Sequence, residues 1–519
     1  HHHPMPPPPP AITAVLTPTS PVVRLPDSRP RSLSSVSLPT RSRLESLLFA
    51  TFMAILVWAP LPFASNREWA GALLTLLLAM VAIGWLTLYL LGKVQIAPEV
   101  WRRARLPLGL LMAVQAWVLL QLTPLPPGLI EVLSPQAAQW HLREGWLTLS
   151  LDWHATFYYL LRGCAVTLGF FLVLATINSR HRARRFLQVL VFSGTLQAAY
   201  GAFMVLSGLE LGFFVEKYAG IGVATGTFVN RNHLAGYLVM CLAAGTGLLL
   251  SQLTQHTVQG WRDRLRGYLE LLLSPKMRLR MYLAVMVVAL VLTRSRMGNI
   301  AFFAALALAG LVAVYLARKA PGTGSQAGSP RPFPWKVVAF LGSLFAVDMI
   351  ILGRWFGLDK LVQRLEGMEG KAAEEFSRYW MNVYTQDYIQ AFPLTGSGGG
   401  SFYGIFPNFQ GQGLRGFYQH SHNDYLEFPA ELGLPAALVL ASVVLLSLWQ
   451  AVQAQRERHT PLYRGAGFAV TMAIIWAAIH SSVDFNLQIP ANALTFVSLL
   501  GLAYVARCLP RNRTQNNGL

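Results

Sequence analysis

Residues 69–92 read WAGALLTLLLAMVAIGWLTLYLLG, without one charged side chain. A helix rises about 1.5 Å per residue, so roughly 20 apolar residues cross the hydrocarbon layer of a bilayer. Within that layer no water satisfies the backbone, and a helix bonds its own N–H and C=O groups. The run therefore predicts a membrane-spanning helix. Similar runs lie near 44–64, 106–124, 157–177, 185–208, 233–252, 276–293, 297–317, 334–353, 429–452, 463–484 and 488–508. Together they predict an all-α polytopic membrane protein with about twelve transmembrane helices. No sequence repeat at a solenoid period is evident.

Composition agrees. The chain of 519 residues is 54% apolar and 13% charged, with a mean hydropathy of +0.42, outside the range of soluble globular domains. Its net charge of +19 would suit nucleic acid, but the basic residues form short clusters between apolar runs, as the positive-inside rule produces. No nucleic-acid partner is expected. Cys164, Cys241 and Cys508 lie inside or at the ends of apolar runs, so neither a disulfide nor a CxxC metal site is expected. His1 to His3 ahead of Met5 read as a tag remnant, and residues 1–43, rich in Pro, Ser and Arg, as a disordered tail. The first apolar run starts too far along, and is too long, for a cleaved signal peptide.

Charge fixes the expected sidedness. With the N-terminus in the cytoplasm, the inside segments hold clusters such as Lys93, Arg102, Arg103 and Arg105, or Arg180, Arg182, Arg184 and Arg185. Most outside segments hold one or two Lys or Arg each, and the long segment 354–428 counts little toward orientation. Both termini are thus expected inside, with 44–353 holding the first nine spans, 429–508 the last three and 509–519 a short tail. Two outside segments are long enough to fold. In 125–156, Trp140, Trp146 and Trp153 suit the headgroup level. In 354–428, residues 371–391 show helical apolar spacing and predict an amphipathic helix along the outer leaflet. The GSGGGSF stretch (396–402) that follows gives backbone flexibility or close approach to a ligand.

Unusual polar groups fall on the same outer side. Asn230, Arg231 and Asn232 close one outside loop, Arg294 and Arg296 occupy a tight turn, and His480 and Asp484 end the eleventh span. Arg162 and Asp348 lie just below the surface in the fourth and ninth spans. Residues 420–436, HSHNDYLEFPAELGLPA, bring His420, His422, Asn423 and Asp424 to the mouth of the tenth. A charge within the bilayer costs about 3 kcal/mol or more, so it is paired or functional. Several of these residues also have ordinary readings: Arg162 and Asp348 can neutralise each other, Arg294 and Arg296 can snorkel to headgroups, and His480 can be a packed histidine. His420 and His422 with Asp424 and Glu427 supply metal-ligand types. Against a metal site stand the lack of a further Cys/His cluster and of a DxD motif. Arginine, permanently charged and bidentate, can hold a diphosphate instead.

The stretches FVNRNHLAGYL, SRMGN, GSGGGSF, HNDYLEFPAELGLPA and HSSVDF resemble the O-antigen ligase superfamily, which also contains O-antigen polymerases and protein O-oligosaccharyltransferases. The resemblance covers about residues 44–508. Its most specific piece is His422-Asn423, nine residues, then Gly433, two residues and a final position that holds Ala436 where the ligase pattern has Gly, Thr or Tyr. The resemblance implies a GT-C-like helical fold with a helical periplasmic region between the ninth and tenth spans, in the bacterial inner membrane. It implies a glycosyltransferase that moves O-antigen from undecaprenyl diphosphate to a sugar hydroxyl of lipid A-core at the periplasmic face, without metal or other cofactor. By the matched motif His422 carries catalysis, and Arg231, Arg294 and Arg296 match outer-face arginines of the family; His420, a second catalytic candidate two residues earlier, has no role assigned by the motif.

A sugar hydroxyl is a poor nucleophile near neutral pH, and histidine has a pKa suited to be its base. A diphosphate leaves without a proton if cations hold its growing charge. The sequence thus predicts inverting displacement with His422 as general base and an arginine clamp, Asn423 or Asp424 orienting the imidazole. A lipid-linked glycan transporter is the reading from another class; it should spread polar groups through the bilayer in repeated halves, whereas this chain gathers them on one side.

Overall fold

The computed structural model describes residues 43–141, 145–212, 215–217, 219–252, 275–319, 339, 342–343 and 368–510. Apart from those isolated positions, the expected span at 334–353, with Asp348, lies outside the described residues, as do the N-terminal tail up to residue 42 and the last nine residues.

In chain order the helices are α1 (Arg43–Trp58), α2 (Glu68–Leu90), α3 (Pro98–Leu122), α4 (Pro127–Leu133), α5 (Pro135–Trp140), α6 (Trp153–Thr176), α7 (Arg180–Ser207), α8 (Arg231–Leu250), α9 (Pro275–Leu292), α10 (Arg296–Lys319), α11 (Met368–Ala391), α12 (Phe402–Ile405), α13 (Asp424–Leu432), α14 (Leu434–Glu457), α15 (Pro461–His480) and α16 (Pro490–Cys508). A small antiparallel hairpin, β1 (Leu211–Gly212) with β2 (Val215–Glu216), follows α7; Leu211 pairs with Glu216 and Gly212 with Val215.

Among the described residues, nine helices are long and apolar enough to cross a membrane: α2, α3, α6, α7, α8, α10, α14, α15 and α16. The expected spans at 44–64 and 276–293 are helices too, but α1 has only 16 residues and α9 begins with Lys276, Arg278 and Arg280. The span expected at 429–452 starts later. Gly433 takes φ +85° and separates α13 from α14; a Cβ there would meet the Leu394 carbonyl oxygen at 2.2 Å.

Three helices form the centre. α8, α15 and α16 are apolar on every face and almost wholly buried, as a helix without a solvent or lipid side must be. α8 and α15 touch backbone to backbone: a Cβ on Gly247 would lie 2.3 Å from the Gly465 carbonyl oxygen, and one on Gly465 2.1 Å from that of Gly247. Small residues permit such contact where apolar burial gives no drive between helices. Outward, α2 exposes Leu76, Met80 and Ile83, α7 Phe192 and Phe203, and α14 Leu438, Leu445 and Trp449, an apolar surface suited to lipid.

A second, smaller core lies beside this bundle. Ile130, Ala137 and Leu149 from the segment before α6 pack with Met381, Tyr388, Phe392, Phe402 and Phe406 from the segment before α13. The two segments expected outside therefore share one core. α11 turns Met381, Thr385 and Tyr388 into it, while Phe376 and Tyr379 stay exposed. Trp140, expected at the headgroups, stacks instead on Phe409 at 5.5 Å and meets Phe392 edge-on at 5.4 Å, while Trp146 and Trp153 are exposed.

Candidate active site

Helix starts and ends build the site. Asn230 caps α8, its side chain accepting the Asn232 N–H at 2.8 Å, which sets Arg231, Asn232 and His233 in the first turn. In TRSRMGN, Arg294 takes a left-handed conformation at φ +52° in the three-residue turn between α9 and α10. Ser295 then caps α10, its hydroxyl accepting the Gly298 N–H at 3.1 Å. The Asn299 side chain donates back to the Ser295 carbonyl at 2.7 Å. Gly298 has no room for a side chain, since a Cβ would sit 2.7 Å from that of Ala235 on α8. The SRMGN pattern is thus a capped turn pressed against α8.

These two helix starts border one cavity of about 220 Å³, lined by Arg231, Asn232, Arg294, Arg296, Met297, Ile300, Arg378, Val483 and Asp484. Among the described residues Arg231, Arg294 and Arg296 are in no ion pair. Four guanidinium groups and the positive ends of α8 and α10 give this cavity the charge that suits an anion.

At its edge stands the histidine cluster. His422 takes φ +56°, which sends its neighbours to different partners. Its Nδ1 lies 3.7 Å from Asp484 Oδ1, an ion-pair separation just beyond hydrogen-bond length, and its ring is about one-third exposed. His420 turns the other way: its Nδ1 bonds Glu427 Oε1 at 2.6 Å and its ring stacks on Phe485 at 4.1 Å. Glu427 is fully buried and also accepts the Ser421 N–H at 2.7 Å. His420 and His422 therefore do not converge, and among the described residues no three His, Cys, Asp or Glu side chains are set to hold a metal ion.

Burial acts to raise the Asp484 carboxyl, but His233 and His422 beside it prevail and hold it well below the usual carboxylate range. Asp424 behaves oppositely. Burial, then the nearby Glu427, push its carboxyl well above the usual range, although Ser481 Oγ donates to it at 2.9 Å. Glu431 is raised to about 8 by burial and Glu427.

Of the residues singled out from sequence, Arg231, Asn232, Arg294, Arg296 and Asp484 line the cavity and His422 and His420 stand beside it. The expectation that Asn423 or Asp424 orients the catalytic imidazole is corrected. Asn423 caps α13 by accepting the Tyr425 N–H at 3.1 Å, and Asp424 accepts from Ser481 at 2.9 Å, tying α13 to the segment after α15; Asp484 faces His422 instead. Asn230 is likewise a cap. His480 is packed, its Nδ1 accepting the Asn486 side-chain N–H at 2.9 Å and its ring stacked on Trp476. Arg162 lies on α6 outside the cavity lining, with Glu431 and Glu68 as the carboxylates acting on it.

The glycine-rich stretch approaches the protein itself. Gly398 N–H donates to the Glu431 carbonyl at 3.0 Å, Gly399 N–H to Gln121 Oε1 at 3.2 Å and Phe402 N–H to Glu431 Oε1 at 3.0 Å. Two site residues were not foreseen. His233, inside the quoted NRNH stretch, lies 3.7 Å from Asp484 through Nε2. Arg378 sits on α11, a helix that its apolar spacing revealed, but nothing in that spacing marked Arg378 itself.

No curated protein matches the chain. A family model described as O-antigen ligase matches residues 281–441, which include the SRMGN turn, α11, the glycine-rich stretch and HNDYLEFPAELGLPA. Over residues 281–441 the resemblance carried by these motifs is thereby matched by the family model, and this part of the chain is similar to the O-antigen ligase superfamily.

Proposed function

We propose that the protein is an inverting, metal-independent glycosyltransferase that moves O-antigen from undecaprenyl diphosphate to a sugar hydroxyl of lipid A-core, at the periplasmic face of the inner membrane with both termini cytoplasmic and a GT-C-like arrangement of helices. The observation that carries this reading is the arginine cavity ending at Asp484, with His422 beside it. The diphosphate occupies the cavity, held by Arg231, Arg294, Arg296 and Arg378. His422 turns Nδ1 to Asp484, leaving Nε2 to take the proton of the acceptor hydroxyl. The hydroxyl oxygen then bonds the anomeric carbon as the bond to the diphosphate oxygen breaks on the opposite face. The leaving diphosphate keeps the electron pair, and guanidinium groups hold its charge where they stand before the reaction, so no acid is required. Asp484 stabilises the imidazolium that forms.

The test is transfer by the purified protein with undecaprenyl diphosphate-linked O-antigen and lipid A-core. His422→Ala is expected to lose about 100-fold or more in rate with an unchanged melting temperature, and EDTA to leave the parent rate intact. Full activity of the variant rejects the base; loss with EDTA restored by zinc or manganese rejects the metal-independent mechanism. Transfer to a second lipid-linked repeat or to Ser/Thr of a polypeptide, in place of lipid A-core, identifies a polymerase or protein oligosaccharyltransferase.

A further inference from the structure

Phe485, next to Asp484, is surrounded by three imidazoles. His420 stacks on its face, while His422 and His233 meet it edge-on with ring centres 4.9 Å and 4.6 Å away. The same oxygen, Asp484 Oδ1, lies 3.7 Å from His422 Nδ1 and 3.7 Å from His233 Nε2. His233 is almost wholly buried, and among the described residues its Nε2 has no hydrogen-bond partner. Its position is fixed by the backbone: its N–H donates to the Asn230 carbonyl at 3.1 Å and its carbonyl accepts from Asn492 Nδ2 at 3.0 Å. A ring so held, with a nitrogen facing the orienting carboxylate, is more than packing requires.

We propose that His233 is a positioning residue that sets the basicity of His422 by sharing Asp484 with it. This rests on His422 being the base. A carboxylate raises the proton affinity of an imidazole in proportion to the charge it offers, and a second imidazole nitrogen equally near the same oxygen, 3.7 Å away, competes for that charge. His233 thus keeps His422 from binding its proton too firmly to return it, and fixes the carboxylate between the two rings. Other charges face the pair: Arg231 from α8, Arg294 and Arg296 from the turn before α10, and Arg378 from α11. His480 on α15 and Asp424 and Glu427 on α13 complete the surroundings. A change at His233 alone leaves all of them in place.

The experiment uses the full chain in nanodiscs, the undecaprenyl diphosphate-linked donor and lipid A-core, with kcat and KM followed across pH, and with His422 titrated by NMR in histidine-labelled protein. In His233→Ala the acidic midpoint of kcat and the His422 titration are expected to rise by about one pH unit, with donor KM within about twofold of the parent. His233→Gln, which restores an N–H, is expected to bring both midpoints back. If the alanine variant does not fold, His233→Phe keeps the ring, removes both nitrogens and is expected to give the same rise. An unchanged or lowered midpoint in a folded variant overturns the proposal, because a merely structural role would reduce rate without moving the titration. Activity retained by His422→Ala would instead reject the proposed mechanism, and the NMR titration would still decide whether His233 acts on His422.

Discussion

At the scale of single residues, the site is organised by carboxylates in three different environments. Asp484 is held ionised by two imidazoles, Asp424 is buried behind the site and kept toward its neutral form, and Glu431 is raised to about 8. The last has a consequence for stability. An unfolded glutamate ionises near pH 4.3, whereas folded Glu431 keeps its proton until about pH 8. Between those values the folded state binds the extra proton, so its contribution to stability is constant below the unfolded value, falls as pH rises through the window and levels off above it. Glu431→Gln retains an acceptor for the Phe402 N–H and removes the titration. The drop in melting temperature from about pH 5 to about pH 8 is expected to be a few degrees smaller in the variant; parallel curves for the two proteins would show that Glu431 does not titrate in that window.

At the scale of elements, capping and close approach aim the chemistry. Asn230 and Ser295 start α8 and α10 at the cavity wall, so Arg231 and Arg296 follow immediately after the caps. These starts stay in register only if the helices behind them do. The contact of Gly247 with Gly465 sets the distance between α8, which carries Arg231 and His233, and α15, which leads to Asp484. Gly465→Leu drives a side chain into backbone and is expected to cost about 3 kcal/mol, an overpacking effect. Gly109→Leu on α3, where nothing lies within 4 Å of an added Cβ, is the control and is expected to be neutral or slightly stabilising. Equal thermal shifts for the two variants in detergent would remove this contact from the determinants of the site. The elements themselves were largely legible, because a bilayer forces apolar runs into helices: the run 69–92 became Glu68–Leu90 and 157–177 became Trp153–Thr176. The break at Gly433 was not, since its cause is the Leu394 carbonyl from a distant segment.

For the whole molecule, the alternation of helices brings the start of α8, the turn before α10 and the end of α15 to the same end of the bundle, where the cavity lies. Its proposed periplasmic exposure is open to direct measurement. Ser482, exposed and two residues before Asp484, replaced by cysteine is expected to react with a membrane-impermeant maleimide in spheroplasts. Native Cys508, at the far end of α16, is expected to react only after the membrane is opened. Ser482→Cys labelling only in opened membranes would invert the topology. The amino-acid sequence by itself determined the helical membrane architecture, the sidedness expected from Lys and Arg, and most of the cations that gather: these depend on composition and local periodicity, to which the bilayer responds segment by segment. Only the tertiary structure decided that Asp484 faces His422 while Asp424 bonds Ser481, that His233 shares the Asp484 carboxylate, and that Arg378 joins the other arginines. Those pairings join residues tens to hundreds of positions apart, and packing between elements, which no local pattern encodes, brings them within a few ångströms.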